Sequence, residues 1–388
     1  MIINSGGPLS PKVSFTINNV EVNYFSINQV FLELDVNKHD VLTIIMNGIP
    51  PKAVTDYVGA AVEFSLSSGP GRNQVFKGYV LYVEPEYNVG APVANSSVLH
   101  TAKIVCFGAS LVMKGAKQRV WDSVNIYKLA QEMASKYNFS LECIKDDYQI
   151  PRIAQPTESD WEFMVRVCET YGYSMTVHGT HMAIWDPFKA IGHRRSYERL
   201  VPVNAYLGAS PGAIVKMHGT FGELTPDGES YKYHIASFDS TGAVINTFDK
   251  YNSSQNSWSG MATEPKYTST VSESAVSVGE AEKMIGAIKR RNFPFNVSLT
   301  VSAGAGIVPG GVVEITGYKS NFEGLWYVKS VCHTITGSSY NTELQVSKDY
   351  NTTNQFVVPP TELSIDPPES VLIGDTWRAK QNRVTLYV

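Results

Sequence analysis

Between residues 154 and 187 the chain reads AQPTESDWEFMVRVCETYGYSMTVHGTHMAIWDP, which gathers Glu158, Asp160, Glu162, His178, His181 and Asp186. Two kinds of chemistry use such residues. Paired carboxylates on opposite sides of a cleft perform glycoside hydrolysis, and histidines with carboxylates hold metals. Neither pattern is complete. Glu158, Asp160 and Glu162 fall around the first turn of an expected helix, where carboxylates meet the positive end of the dipole and unpaired N–H groups. Zinc needs three or four ligands, and no cysteine or third histidine follows His178 and His181 at ligand spacing. His333 lies in SVCHTITG, where every second residue is apolar, and reads as a satisfied interior histidine. G-x-S-x-G, H-E-x-x-H, P-loop and G-x-G-x-x-G motifs are absent from the sequence. SAGAGIVPGG (302–311) is glycine-rich but lies between two strands, so a β-hairpin loop is expected rather than a phosphate cradle. The expectation is no catalytic residue, no metal and no cofactor.

The elements around these residues read clearly. Ser159 and Glu162 form an S-x-x-E capping box, Pro156 marks the approach, and Trp161, Met164, Val165, Cys168 and Tyr171 make an apolar stripe. Gly172 is the expected stop. YSMTVHG and HMAIWDP then predict a hairpin turning at Gly179-Thr180. An earlier helix is predicted from Ile126, Leu129, Ala130, Met133, Ala134 and Tyr137, capped by Asp122 or Ser123. Residues 116–195 therefore form a small α/β module.

Strand text lies on both sides of the module. Val13, Phe15 and Ile17 alternate with polar residues, and similar runs follow at 30–36, 41–46, 60–66, 74–87 and 100–108. Roughly six or seven strands separated by turn signals argue for a sandwich or barrel in residues 1–115. After the module, strands are expected at 213–221, 231–238, 243–248, 295–302, 311–317, 325–336 and 341–347. The polar run 249–275 reads as a long loop or arm, and a capping box at Ser277 and Glu280 starts a helix. Two β regions of similar strand count around one insert are what a duplicated fold would leave. Residues 351–388 carry Pro359, Pro360, Pro367 and Pro368, then Trp377 and the alternation Val384, Leu386, Val388. This tail is expected to be extended and to pack on a partner.

Composition narrows the class. The 388 residues are 43% hydrophobic and 18% charged, with net charge −4 and pI near 6.1. This is a globular chain long enough for two or three domains. It has no basic footprint for specific nucleic-acid binding. Its four cysteines form no C-x-x-C and suggest buried thiols. No signal peptide and no membrane span are expected.

The stretch QPTESDWEFMVRVCETYGYSMTVHGTHMAIWDP resembles the signature of phage tail baseplate hub proteins. In that family an E-S-D-W-x-F-h-x-R helix precedes a glycine turn and a short hairpin ending near a proline. Glu158, Ser159, Asp160, Trp161, Phe163, Arg166, Gly172 and Pro187 stand at those places. A second resemblance runs through 308–349, where Gly310, Gly317, Gly324, Trp326, Val328 and His333 match. The family includes the T4-like baseplate hub, the late control D proteins and the hub part of type VI secretion spikes. The resemblance implies a mainly β fold: two tube-like antiparallel β-barrels (1–115 and 196–350), the α/β module between them, and the extended tail. It implies a non-enzymatic homotrimer whose six barrels form a pseudo-sixfold ring in a virion tail baseplate assembled in the host cytoplasm. The implied partners are the tail tube protein, a central spike protein, other baseplate proteins and the tape measure protein. A tail-tip enzyme that cleaves peptidoglycan is the alternative. Its catalytic domain is normally C-terminal, and only about 38 residues follow residue 350, too few to bury a core.

Overall fold

The computed structural model describes residues 11–22, 27–47, 56–69, 72–86, 101–187, 197–202, 212–221, 230–238, 244–253, 268–270, 279–280, 283–284, 287, 295–318, 322–337 and 339–348; of these, 197, 221, 230–238, 244–253 and 268–270 are described by backbone alone. The proline-rich tail, with Pro359, Pro360, Pro367, Pro368, Trp377 and Leu386, lies outside the described residues. So does most of the helix expected after Ser277, although 279–280, 283–284 and 287 are helical.

The first β region comprises β1 (Lys12–Ile17), β2 (Val20–Glu21), β3 (Ile27–Asp35), β4 (Val41–Asn47), β5 (Ala61–Ser67), β6 (Asn73–Glu86) and β7 (Thr101–Gly108). Alternation makes these strands: in β1 and β5 every second side chain is buried, so one face packs and the other meets water. A 3-10 turn (Ala109–Lys114) leads into the module: β8 (Arg119–Val124), α1 (Ile126–Tyr137), β9 (Ser140–Cys143), β10 (Ile150–Gln155), α2 (Asp160–Tyr171), β11 (Ser174–His178) and β12 (His181–Trp185). The cap of α1 is Asn125, whose side chain accepts from the Lys128 N–H at 2.9 Å. Asp122 and Ser123, the caps expected from sequence, instead belong to β8, which pairs with β10.

The second region comprises β13 (Tyr197–Pro202), β14 (Ala213–Phe221), β15 (Ser230–Phe238), β16 (Val244–Ser253), β17 (Thr268–Thr270), β18 (Phe295–Ser302), β19 (Val312–Ile315), β20 (Gly324–Thr336) and β21 (Tyr340–Lys348). Strands β15, β16 and β17 form a separate three-stranded arm between β14 and β18. Strand β16 runs to Ser253 and β17 pairs with β15, so these parts of the run read as loop are strand. The glycine-rich 302–311 segment is not a hairpin loop. It joins β18 to β19, which are not neighbours: β18 pairs with β14 and β21, and β19 with β13 and β20.

The strands β13, β14, β18, β21, β20 and β19 close on themselves as a barrel. Strand β3 then pairs antiparallel with β20, from Ser330 opposite Asp35 to Thr336 opposite Gln29, so both β regions share one thirteen-stranded sheet. One apolar cluster, from Phe15 and Leu32 to Leu299 and Trp326, runs beneath it.

The second region repeats the first. Strands β3, β4, β7, β6 and β5 are successive antiparallel neighbours, and β14, β18, β21, β20 and β19 follow in the same order and sense. Bulges coincide. The register shifts between Ile27 and Gln29 in β3 and between Ile214 and Lys216 in β14, then between Val80 and Tyr82 in β6 and between Val328 and Ser330 in β20. Register carried from the first pair of bulges through the intervening strands arrives at the second: Cys106 opposite Val80 matches Val346 opposite Val328. Bulges re-aim strands and rarely recur by chance at fixed register. The turns ahead of β5 and β19 agree as well. The Gly59 and Gly310 N–H groups donate to the carbonyls of Val80 and Val328 at 2.8 and 2.9 Å, and the Val80 and Val328 N–H groups return bonds of 3.0 Å to Ala60 and Gly311. Both glycines have φ of 81°, a left-handed value that other residues adopt only at a cost.

Candidate functional site

In the module each carboxylate of the 158–162 run is tied to a structural task. Ser159 caps α2: its Oγ accepts from the Glu162 N–H, and its own N–H and Oγ donate to Glu162 Oε2 at 2.8 Å. Those bonds, led by the backbone one, hold the Glu162 carboxyl below its ordinary pKa. Asp160 is fully buried and accepts from Gln155 Nε2 at 2.9 Å, Tyr137 Oη at 2.5 Å and the Lys136 ammonium. Burial alone would raise its pKa; the three donors outweigh burial and lower it. Glu158 receives a forked pair of bonds from Arg166, whose Nη2 also donates to the Ala154 carbonyl at 2.7 Å. Glu162 thus closes the cap of α2, Asp160 ties its start to the end of α1 and to β10, and Glu158 holds the Arg166 that reaches β10.

The histidines are separated rather than gathered. His181 is on the surface, with Nδ1 2.9 Å from Ser140 Oγ and Nε2 3.4 Å from Glu142. His178 faces Asp40, 2.8 Å from its Oδ2. Asp186 is buried. Among the described residues no group of three or more His, Cys, Asp or Glu could hold a metal ion. No described helix is long and apolar enough to cross a membrane.

What the module does possess is a pair of docking surfaces. The first meets the β3–β4 turn. Asn37 exchanges bonds of 2.8 Å with the Met175 backbone through its own N–H and its Oδ1. The His39 ring stacks on Trp161 with centroids 4.3 Å apart, and its Nδ1 lies 2.7 Å from Ser110 Oγ. Burial first, then the Lys114 charge, lowers the His39 pKa to about 4, with Glu162 opposing. Asp40 is buried against His178; burial raises its pKa and the histidine opposes the rise. The second surface meets the second β region. Trp185 Nε1 donates to Tyr327 Oη at 3.1 Å, and any Cβ at Gly310 would overlap the Trp185 ring. A Cβ at Gly172 would come within 2.9 Å of Ala287, and Tyr171 Oη donates to Glu280 at 2.6 Å.

The signature residues therefore have definite places. Ser159, Asp160, Phe163 and Arg166 build α2 and its surroundings, with Phe163 fully buried and stacked on Trp121. Trp161 is not an interior stripe residue alone; it forms the seat for the first β region. Gly172 and Gly310 are points where the module and the second region touch. Gly317 donates its N–H to Glu323 Oε1 at 2.8 Å, and Trp326 is buried with Nε1 donating to the Phe322 carbonyl at 2.8 Å. His333 is buried between Thr342 Oγ1 and Tyr340 Oη, each 3.1 Å from Nδ1. Its Nε2 has no partner among the described residues, and burial lowers its pKa to about 3. It is half-satisfied, not fully as expected. Asn37, His39 and Asp40 escaped the sequence reading because a turn signal was the only mark they carried. Trp185 and Tyr327 carried no sign of their contact, and Glu280 was marked only as a capping-box residue, because contacts between distant segments have no period.

No family model matches this chain, and no curated protein is detectably similar to it in sequence. Its fold is that of solved phage tail proteins. A tail protein from Neisseria meningitidis MC58 superposes with TM-score 0.63 at 11% identity, over 87% of this chain and 97% of that one. The 43 kDa tail protein of prophage MuSo2 from Shewanella oneidensis gives 0.61 at 11% identity, over 87% and 98%. An E. coli component of the type VI secretion system, described as structurally similar to T4 bacteriophage tail proteins gp27 and gp5, gives 0.54 at 9% identity, over 86% and 76%.

Proposed function

We propose that this chain is the structural hub of a phage tail or phage-like injection particle. It assembles as a homotrimer that joins a hexameric tail tube to a trimeric central spike and leaves a channel for the genome. The observation that carries this reading is the repeat inside one chain. The unit β6-β7-β4-β3 is followed head to tail, through the β3–β20 seam, by its counterpart β20-β21-β18-β14. One chain thus offers two equivalent units, and three chains offer six, which matches sixfold and threefold partners at once. In this reading residues 1–115 and 196–350 are the two tube-like barrels, 116–195 is a spacer locked to both, and 351–388 is the arm that reaches the spike or a neighbour. The work is mechanical and needs no catalytic group, which fits carboxylates engaged in caps and ion pairs. The hub would sit in the virion tail after assembly in the host cytoplasm, among other baseplate proteins and beside the tape measure protein.

Light scattering of the purified full chain tests the reading: a trimeric mass, and binding to tail tube rings, are expected. A monomer at tens of micromolar that ignores the tube protein refutes it. Removal of residues 359–388 is expected to leave a folded trimer that no longer recruits the spike; unchanged spike binding assigns the tail another task.

A further inference from the structure

The internal seam has a template's information. Strand β3 gives one edge to β4 and the other to β20. Its counterpart β14 gives one edge to β18 and, among the described residues, pairs on the other side only at Ala213 and Ile214, with β13. From Lys216 to Phe221 that second edge has no strand among the described residues. Strand β20 is shared on one side, by β19 at Gly324–Tyr327 and by β3 at Ser330–Thr336. Its counterpart β6 pairs with β5 only through Asn73–Tyr79. From Tyr82 to Glu86 the same side has no strand among the described residues. Among the described residues each chain therefore has one left-over edge of each type, and the two types are those that join inside the chain.

We infer that β6 of one copy pairs antiparallel with β14 of the next, in the register of the β3–β20 seam; this rests on the ring reading above. Transferring that register places Val83 opposite Phe221, Glu84 opposite Thr220, Pro85 opposite Gly219 and Glu86 opposite His218. Two independent observations support the pairing. The first is charge. The β6 edge bears exposed Glu86 and an exposed Glu84 that also meets Lys103 Nζ at 3.0 Å, whereas the β14 edge bears exposed Lys216 and His218; the proposed register sets Glu86 opposite His218 and diagonal to Lys216, so these edges attract. The second is burial. At the internal seam Val331 and Val30 are 1% and 2% exposed. Their counterparts at the open edges, Val83 and Met217, pack on the same apolar cluster but remain half-buried. A second copy completes their cover. Open strand edges are templates for addition of another strand. Pro85 contributes no N–H, so the seam between copies has fewer donors than the internal one. Such head-to-tail contacts close when the rotation per copy allows.

The test uses the full chain with Cys143→Ser and Cys332→Ser, carrying Glu84→Cys and Thr220→Cys. Mild oxidation is expected to give dimers and trimers on a denaturing gel. The off-register pair Glu84→Cys with His218→Cys is expected to give none. In a second arm, Lys216→Glu with His218→Glu loses the trimer, and adding Glu84→Lys with Glu86→Lys restores it. A trimer that survives the charge reversal and yields no cross-link overturns the seam while the ring reading stands. In-register cross-links in a particle of other copy number uphold the seam and overturn the three-copy ring. A monomer without cross-links overturns both.

Discussion

The two β regions run on one plan but finish it differently. Strand β13 lies parallel to both β14 and β19 and shuts the second region into a barrel. Strand β1 occupies the corresponding place after β5, yet it is antiparallel to β5 and has no pairing with β3 among the described residues. In chain order β13 follows the module, which meets the second region at Trp185 and Gly310, whereas β1 precedes every other strand. A second difference sits at two matched inward positions. The first region has Phe76 and Gly78, with Phe76 buried; the second has Gly324 and Trp326, with Trp326 buried. A large ring and a glycine have traded places, which preserves core volume while erasing sequence similarity. Backbone pairing is therefore what the two regions share, and side-chain identity is where they differ.

The comparison can be broken in several ways. The largest effect is expected from Trp161→Ala, which removes the ring under His39 and costs about 3–5 kcal/mol. The loss should free the first region from the module while the Trp185 contact holds the second. A near-wild-type denaturation curve would show that the stack carries no weight. Ile44→Ala and Leu299→Ala truncate matched core positions, both buried, and each should cost about 2–5 kcal/mol. Because the sheet is continuous, both variants should still melt in one transition; two separated transitions would divide the regions. Gly59→Ala and Gly310→Ala pit identical φ values against different surroundings. Gly59 has open space, so only the left-handed strain of about 1–2 kcal/mol applies. Gly310→Ala adds the collision with Trp185, about 1–3 kcal/mol more, so equal melting temperatures would argue that the module does not bear on the second region.

The smallest effect is one of pH. His39 titrates near 4 in the fold against an ordinary value of 6.5, because burial and Lys114 disfavour its charge. Its stabilising contribution is complete above pH 6.5 and is lost as pH falls toward 4, since the unfolded chain takes the proton first. Amide exchange at Asn37, corrected for its intrinsic rate, should quicken between pH 7 and 5, and His39→Gln should flatten that dependence. The Gly310 side has no such histidine contact described, so its protection should hold. Equal loss on both sides would remove the distinction.

Much of the local structure was legible in the sequence. Period-two alternation marked β1, the strands from β3 to β7 and those from β18 to β21, though not the two-residue β2, and the Ser159–Glu162 box with Gly172 marked both ends of α2. Strand β13 was missed because YERLVP alternates weakly, β8 because Asp122 and Ser123 read as a helix cap, and β10 was not expected either. The role of the carboxylates was legible too: their helix-start positions fitted capping, and Asp160 and Glu162 are held in bonds at that start. The docking turn at Asn37–Asp40 was not, since nothing local distinguishes it from any other turn.

Alternation and caps depend on neighbours a few residues apart, so the sequence by itself determined most of the strands, the two helices of the module, and that no recognised catalytic motif is present. Which strands meet, where β20 passes from β19 to β3, and that Phe76 answers to Gly324 depend on residues hundreds of positions apart. Those relations are set by the closing of backbone hydrogen bonds and the filling of shared volume, and only the tertiary structure decides them.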